Sequence, residues 1–495
     1  MMGQRQEITP KLFYTHIDLA ERIPEDHRLR RVLATLDMEF VRKEVADCYG
    51  CNGQESIDPI MLMKMMLLLF MEQVPSEREL VRQMRYRLDW MWFCGLDFDD
   101  TIPNHSVLSK ARALWGPDVF TSLFARVLEQ CIHAGLVSGE VLHVDASCIA
   151  GNVDADKLQP VLRLVAQKLY EHLEESSKVE PAGPSGRLTG QSDPEAGVTR
   201  SYGQTVCGYK DHRAVDDAHG IVTATLTTDA AVDEGQMLGQ VLAAHEVNTQ
   251  EAPQTVVTDK KYGTAQNYRM LREQGVTPCI PHKHPSAPRG KFAHDQFTYD
   301  AGGDCFMCPA GQTMRPYRRD LVDRRVRYRA ARGVCLACPL RKQCTTSKYG
   351  RRVERHMDQE HIDWADACLS RGRRRRLMGR RKSCVEGSFA DAANCHHFKR
   401  ARWRGLVRMR IQNLLVATCQ NLRKLLRKKR RKSPALAQAF DASCPTVART
   451  APTGVVLTSI GSAIAKIGAT ITRLSKSVWK SDRSIFTPDN ALTSS

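Results

Sequence analysis

VLHVDASCI, residues 141–149, alternates apolar and polar side chains at the period of a half-buried strand and carries an acid, Asp145, near its end. What precedes it has a different rhythm. In residues 1–135 the runs IDPIMLMKMMLLLFMEQ, SERELVRQMRYRLDWMWFCGL, NHSVLSKARALWG and DVFTSLFARVLEQCIHAGL set apolar residues three and four apart, the spacing of one helix face. Ser76 opens SERE with a Glu three residues on, and Pro59 sits in the first turn of its helix, both helix-start signals. After the strand, residues 152–180 read as helical and KVEPAGPSGRLTGQSDPEAG as an exposed loop rich in Pro, Gly and Ser. GYKDHRAVDDAHGIVTATLTTDA holds two β-type runs joined at residues 217–220, a hairpin signal. The helix MLGQVLAAHEV, the short strand TVVTDKKYG reaching Asp259, the helix TAQNYRMLREQGV and the strand PCIPH follow. Strands flanked by helices in this order predict a mixed α/β sheet behind an all-α N-terminal domain.

The charge is concentrated. The chain of 495 residues has a formal net charge of +18, and residues 371–432 hold 22 basic residues against two acids, Glu386 and Asp391. One contiguous basic block is the footprint of a polyphosphate partner, most plainly nucleic acid. Phe398, Trp403, Leu406, Ile411, Leu414 and Leu415 interleave with the charges, which indicates a folded helix rather than a solvated tail. Within that field an isolated carboxylate, Glu386, needs a reason, and a divalent cation shared with substrate phosphate supplies one. The N-terminus shows no apolar signal-peptide core. The most apolar run, residues 57–71, is interrupted by Asp58 and Lys64 and falls short of the roughly 18 residues of a membrane span. The expected setting is the cytoplasm, on nucleoid DNA, with no membrane contact.

Asp145 and Asp259 share a context, each following a short β-branched or apolar run. Acids at strand ends converge at one edge of an α/β sheet. With Glu386 from a helix they make three oxygen donors able to hold two Mg²⁺ ions. Between Asp259 and Glu386 lie 126 residues, more than one strand and one helix need, and they contain CFMC (Cys305, Cys308) and CLACPLRKQC (Cys335, Cys338, Cys344). Two CxxC pairs predict a structural Zn²⁺ held by Cys305, Cys308, Cys335 and Cys338, with Cys344 the alternative fourth ligand.

HVDASCIAGN with Asp145, GYKDHRAVDDAHGIV, VVTDKKYGTAQNYRMLREQG with Asp259, and RKSCVEGSF with Glu386, followed by RWRGL and QNLRKLL, resemble the catalytic domain of bacterial insertion-sequence transposases of the DDE type. GQESIDPIMLMKMMLL, SERELVRQM, WFCGL and IPNHSVLSKAR resemble the helical domain that precedes it in the same group. The resemblance implies an RNase H-like mixed sheet flanked by helices, with a zinc-ribbon-like insertion. It also implies an enzyme that nicks DNA at element ends and joins the 3′-hydroxyl to target DNA. Asp145, Asp259 and Glu386 are then the catalytic Mg²⁺ ligands, with Mn²⁺ as a substitute. The partners are the terminal inverted repeats, target DNA and a second copy of the chain or more. Lys210, His212, Lys260, Arg381, Lys382, Lys399, Arg400, Arg402 and Arg404 are the expected DNA contacts. Many relatives carry a Tyr and an Arg before the Glu and a Lys two turns after it. Here Gly379 stands at the Tyr position, Arg381 or Lys382 serves for the Arg, and Ala393 replaces the Lys, with His396, His397 or Lys399 as stand-ins.

The expected organisation is a helical domain over 1–135 for DNA binding or dimerisation, and a catalytic core over 136–300 and 351–432. The cysteine-rich insertion occupies 301–350, and a disordered tail 433–495. The competing classes are a zinc-containing DNA-binding protein without enzymatic activity, and a transposase relic that binds its ends and does not cut.

Overall fold

The computed structural model describes residues 18–50, 56–153, 158–160, 188–190, 192–201, 204–281, 290–331 and 333–432. The chain separates into Met1–Lys432 and Ser433–Ser495, and the second unit, with the tail expected there, lies outside the described residues. So does most of the helix expected over 152–180.

The N-terminal region is helical as its periodicity requires. Asp58 caps the helix Pro59–Met71 by accepting from the Ile60 N–H, and Ser76 caps Glu77–Met84 by accepting from the Glu79 N–H. The apolar run is a core helix: Met63, Met65, Met66, Leu67, Leu68, Leu69 and Phe70 are almost wholly buried. No helix among the described residues is long and apolar enough to cross a membrane.

The main sheet begins at β1 (Val141–Ala150) and includes β2 (Leu158–Pro160), β3 (Leu188–Gly190), β4 (Asp193–Ser201), β5 (Gln204–Asp216), β6 (Val222–Asp229), β7 (Thr255–Val257) and β8 (Thr277–Cys279). Strands β2 to β4 replace parts of the helix and loop expected there. β5 pairs antiparallel with both β1 and β6, and β1 pairs parallel with β7, which pairs parallel with β8. The order β6-β5-β1-β7-β8, antiparallel on one side of β1 and parallel on the other, is the RNase H-like mixed sheet. The β5–β6 connection is the expected tight turn, closed by the Gly220 N–H donating to the Asp216 carbonyl with Gly220 at φ +68°.

A second sheet of five strands lies between Asp259 and Glu386 in sequence: β9 (Thr298–Asp300), β10 (Cys305–Met307), β11 (Thr313–Asp320), β12 (Arg325–Ala330) and β13 (Arg352–His356), an antiparallel meander. Phe297, Phe306, Met314, Tyr328 and Val353 give it a core of its own.

The helix Leu406–Lys432 is the spine of the larger unit. Its apolar face shares one core with the N-terminal helices and with one face of β5 and β6. Its buried polar side chains are bonded: Asn421 Oδ1 accepts from the Val222 N–H and its Nδ2 donates to the Val222 carbonyl, while Gln420 Nε2 donates to the Ser388 carbonyl and to Asp391. Each pairing satisfies groups that burial would otherwise leave without water.

Candidate active site

The parallel pairing of β1 with β7 sets His143 opposite Val257. Asp145 and Asp259 each stand two residues further on, so they leave neighbouring strands at one level and on one face, with strands about 4.8 Å apart. Asp145 lies within β1, mostly buried; its Oδ1 accepts from the Ala146 N–H. Asp259 lies two residues past its strand and caps the following turn, accepting from the Lys261 N–H at 2.8 Å.

Glu386 reaches this edge on a helix that changes pitch there. The helix Arg371–Arg381 runs into a single π-helical turn, Lys382–Glu386, and continues as Gly387–His396. Such turns inside α-helices recur at functional sites. Two arginines dock the turn on the sheet. Arg380 grips Asp217, from Nε to Oδ1 at 3.0 Å and from Nη2 to Oδ2 at 3.2 Å, and Asp217 Oδ1 also meets His143 Nε2 at 2.8 Å. Arg381 turns the other way: its Nη1 donates to Glu386 Oε1 at 2.6 Å and its Nη2 to Asp145 Oδ2 at 3.1 Å. One guanidinium therefore joins two of the three predicted acids, reaching Asp145 across 236 residues of sequence.

A fourth acid is present that the sequence reading missed. Glu234, buried in the turn after β6, sits 2.8 Å from Lys261 Nζ and 3.5 Å from Lys210 Nζ. Nothing in the local run DAAVDEGQ distinguishes it from a capping acid; only folding places it here. Burial pushes the Asp145 carboxyl up to about 6, Arg381 opposes this, and repulsion from Asp259 and Glu234 adds to it. The Tyr262 hydroxyl is buried beside the same acids without a partner.

Clustered carboxylates under mutual repulsion, all hard oxygen donors, fit a divalent cation. As placed, however, Arg381 holds Asp145 and Glu386 as an ion pair. The described residues whose ligand atoms do lie within 4.8 Å of one another are His143, Asp217 and Cys384. That group is an ion-pair cluster, because Asp217 is already saturated by the Arg380 fork and His143, and the guanidinium repels a cation.

The expected DNA contacts divide. Lys260, Lys382, Arg400 and Arg404 are exposed. Lys399 is exposed, donates from Nζ to Ser147 Oγ at 2.7 Å, and feels the Asp145 charge. His396 is buried against the Phe70 carbonyl and His397 bonds the Gln73 carbonyl. Three other residues correct the expectation. Lys210 is buried and donates to the Val232 carbonyl at 2.7 Å; His212 is buried against Thr228 Oγ1, and burial drives its imidazole down to about 3. Arg402 donates to the Val74 carbonyl at 2.5 Å and lies over the Phe70 ring. Their polar groups are spent on bonds within the fold. Arg381 is buried too and faces the acids, not the surface.

The cysteines also sort differently. Cys305 lies in β10 with its thiol toward Asp300 Oδ2 at 3.9 Å. Cys308, Cys335, Cys338 and Cys344 line one cavity, and Cys305 does not.

Two family models match the chain: "Transposase domain (DUF772)" over residues 17–114 and "Transposase DDE domain" over residues 307–426. No curated protein matches. Among solved structures, a chain of the piggyBac transposase synaptic complex with hairpin DNA is 10% identical, with 88% of this chain and 86% of that one covered and a TM-score of 0.27, a likeness too weak to bear on the fold. The N-terminal helices thus match one transposase domain, and the segment that includes Arg381 and Glu386 matches a transposase DDE domain.

Proposed function

We propose that the chain cuts DNA at the ends of a bacterial insertion sequence and transfers the freed 3′-hydroxyl to target DNA, using Asp145, Asp259 and Glu386 as ligands for two Mg²⁺ ions, with Mn²⁺ able to substitute. The observation that carries this reading is the Arg381 fork, which ties Asp145 to Glu386 at the strand edge from which Asp259 also projects.

When bound, the ions supply charge neutralisation at the phosphate and activation of the attacking oxygen. The protein's part is to hold the carboxylates at one sheet edge and to keep cationic groups around them. Loading a cation requires Arg381 to leave Asp145 and Glu386. A guanidinium freed beside the metal site is then available to a phosphate as a bidentate donor. Lys399 approaches from the side of Ser147, and Lys260 and Lys382 flank Asp259 and Glu386 in sequence, so phosphate-binding groups surround the acids. DNA held through these contacts should dissociate steeply as salt rises. A homodimer or larger assembly on the two element ends completes the proposal.

The test is nicking and strand transfer on DNA carrying the element's own terminal repeats, with and without Mg²⁺ or Mn²⁺. Asp145→Ala, Asp259→Ala and Glu386→Ala should each lower cleavage by at least about a thousandfold, comparable to losing a main electrostatic element of a site, while DNA binding persists. Cleavage that survives all three substitutions removes the assignment. Wild type that binds the ends and never cuts favours the relic.

A further inference from the structure

The module formed by β9 to β13 contains a cavity of about 30 Å³ whose wall includes the side chains of Cys308, Cys335, Cys338 and Cys344. That is room for little more than a single small occupant. The remaining wall is largely apolar, with Phe292, Met314, Val334 and Leu340, and an unpaired polar occupant would be poorly held there. Four cysteines lining one small, largely apolar space suit a soft ion of tetrahedral preference.

The backbone explains which cysteines arrive. Cys308 follows β10 and begins a tight turn: its N–H donates to the Gln312 carbonyl, and the Gly311 N–H returns to the Cys308 carbonyl at 2.8 Å, with Gly311 at φ +71°. Cys335 and Cys338 sit in the turns after β12, and Cys344 ends the short helix Arg341–Cys344. Gly350, at φ +86°, passes so close that a Cβ there would lie 2.9 Å from Cys335 Sγ, so the chain after Cys344 folds back on the thiols. Cys305 belongs to the strand itself, where CFMC is extended rather than turned, and its thiol is directed to Asp300. Arg341 and Arg351 also line the cavity, and their cationic groups suit the net charge of −2 on a Zn²⁺ held by four thiolates.

We propose that Cys308, Cys335, Cys338 and Cys344 bind one structural Zn²⁺, and that Cys305 is not a ligand. Four S–H bonds break, four protons leave to water, four Zn–S bonds form and no electrons move. No three of these thiols among the described residues lie within 4.8 Å of one another. A tetrahedral zinc with bonds of about 2.3 Å would require these thiols to lie closer together than they do here. The proposal rests on the module alone and is independent of whether the carboxylates cut DNA.

The experiment uses the full-length chain purified under reducing conditions with zinc supplied. Elemental analysis should find one zinc per chain in wild type and in Cys305→Ser, and less than a tenth of that in Cys344→Ser. Because Cys344→Ser can lose zinc simply by misfolding, the second readout needs no variant. Thiol alkylation mapped by mass spectrometry, before and after a chelator, should show Cys308, Cys335, Cys338 and Cys344 becoming reactive together while Cys305 does not join them. Zinc-free wild type, zinc lost from Cys305→Ser but kept by Cys344→Ser, or release of Cys305 in place of Cys344 overturns the proposal.

Discussion

The two ends of the basic block are both free of acids and have opposite fates. The helix Arg371–Arg381 exposes Arg371, Arg373, Arg375, Arg376 and Arg380 to solvent. The helix Leu406–Lys432 is the most deeply packed helix of the catalytic region, with Ile411, Leu415, Val416, Ala417 and Leu425 fully buried and Leu422 nearly so. The difference is in what separates the charges. Between Arg371 and Arg381 only Leu377 and Met378 are apolar, too few for a buried stripe. Residues 411–420 contain no charge at all, which lets a whole helical surface enter the core. Net charge thus predicts a partner for the first helix and says nothing of the second.

The largest effect that sharpens this contrast is on stability. Leu415→Ala deletes methyl groups from a fully buried position and should cost about 2–5 kcal/mol in a urea titration. A cost near that of a surface substitution breaks the claim that this helix is the spine.

A basic residue of the spine offers the next test. Burial pushes the Lys424 ammonium down to about 8, with Asp391 and Cys384 opposing the shift, and Nζ donates to the Gly220 carbonyl. The unfolded chain keeps this proton to about pH 10.4, so between those values the unfolded state binds more protons and stability rises with pH. The contribution has a slope of up to about 1.4 kcal/mol per pH unit. Lys424→Met should remove it, flattening the dependence of the urea midpoint over that window relative to wild type. Parallel curves for the two proteins mean that Lys424 is not titrating from a buried place.

The comparison also shows what a reader of the sequence can reach. Asp145 and Asp259 stand out in sequence because each follows a short β-branched or apolar run, and Glu386 because it is an acid in a basic field, while the helices, the β5–β6 hairpin and the α/β alternation follow from periodicity. Glu234 is not legible, since a capping acid and a site acid look alike until β6 is laid beside β5. The same holds for Lys210, His212 and Arg402, whose sequence neighbours are those of surface cations and whose burial depends on β6, on the turn after it and on the helix Pro59–Met71. The proposed exchange of Cys305 for Cys344 has a simpler reason. A CxxC pair implies a turn, and here Cys305–Met307 is a strand.

The smallest stability effect is expected at the exposed end of the block, where the effect on DNA should be clear. Arg373, Arg375 and Arg376 are exposed on the helix that delivers Glu386, whereas Arg374 is tied to Asp366 at 2.8 Å and is best left in place. Replacing the three with Ala should leave the urea midpoint within the range of surface changes, about 0.5 kcal/mol per site. If they meet phosphates, each lost contact should lower the slope of log affinity against log salt by roughly one. Binding to unrelated duplexes should weaken as much as binding to element ends, because phosphate contacts carry no sequence information. A triple variant that keeps the wild-type salt dependence would place the DNA elsewhere, on Lys260, Lys382 and Lys399 alone. One that unfolds would show that these arginines, unlike the uncharged stretch that buries the spine, hold their helix in the fold rather than offering charge to a partner.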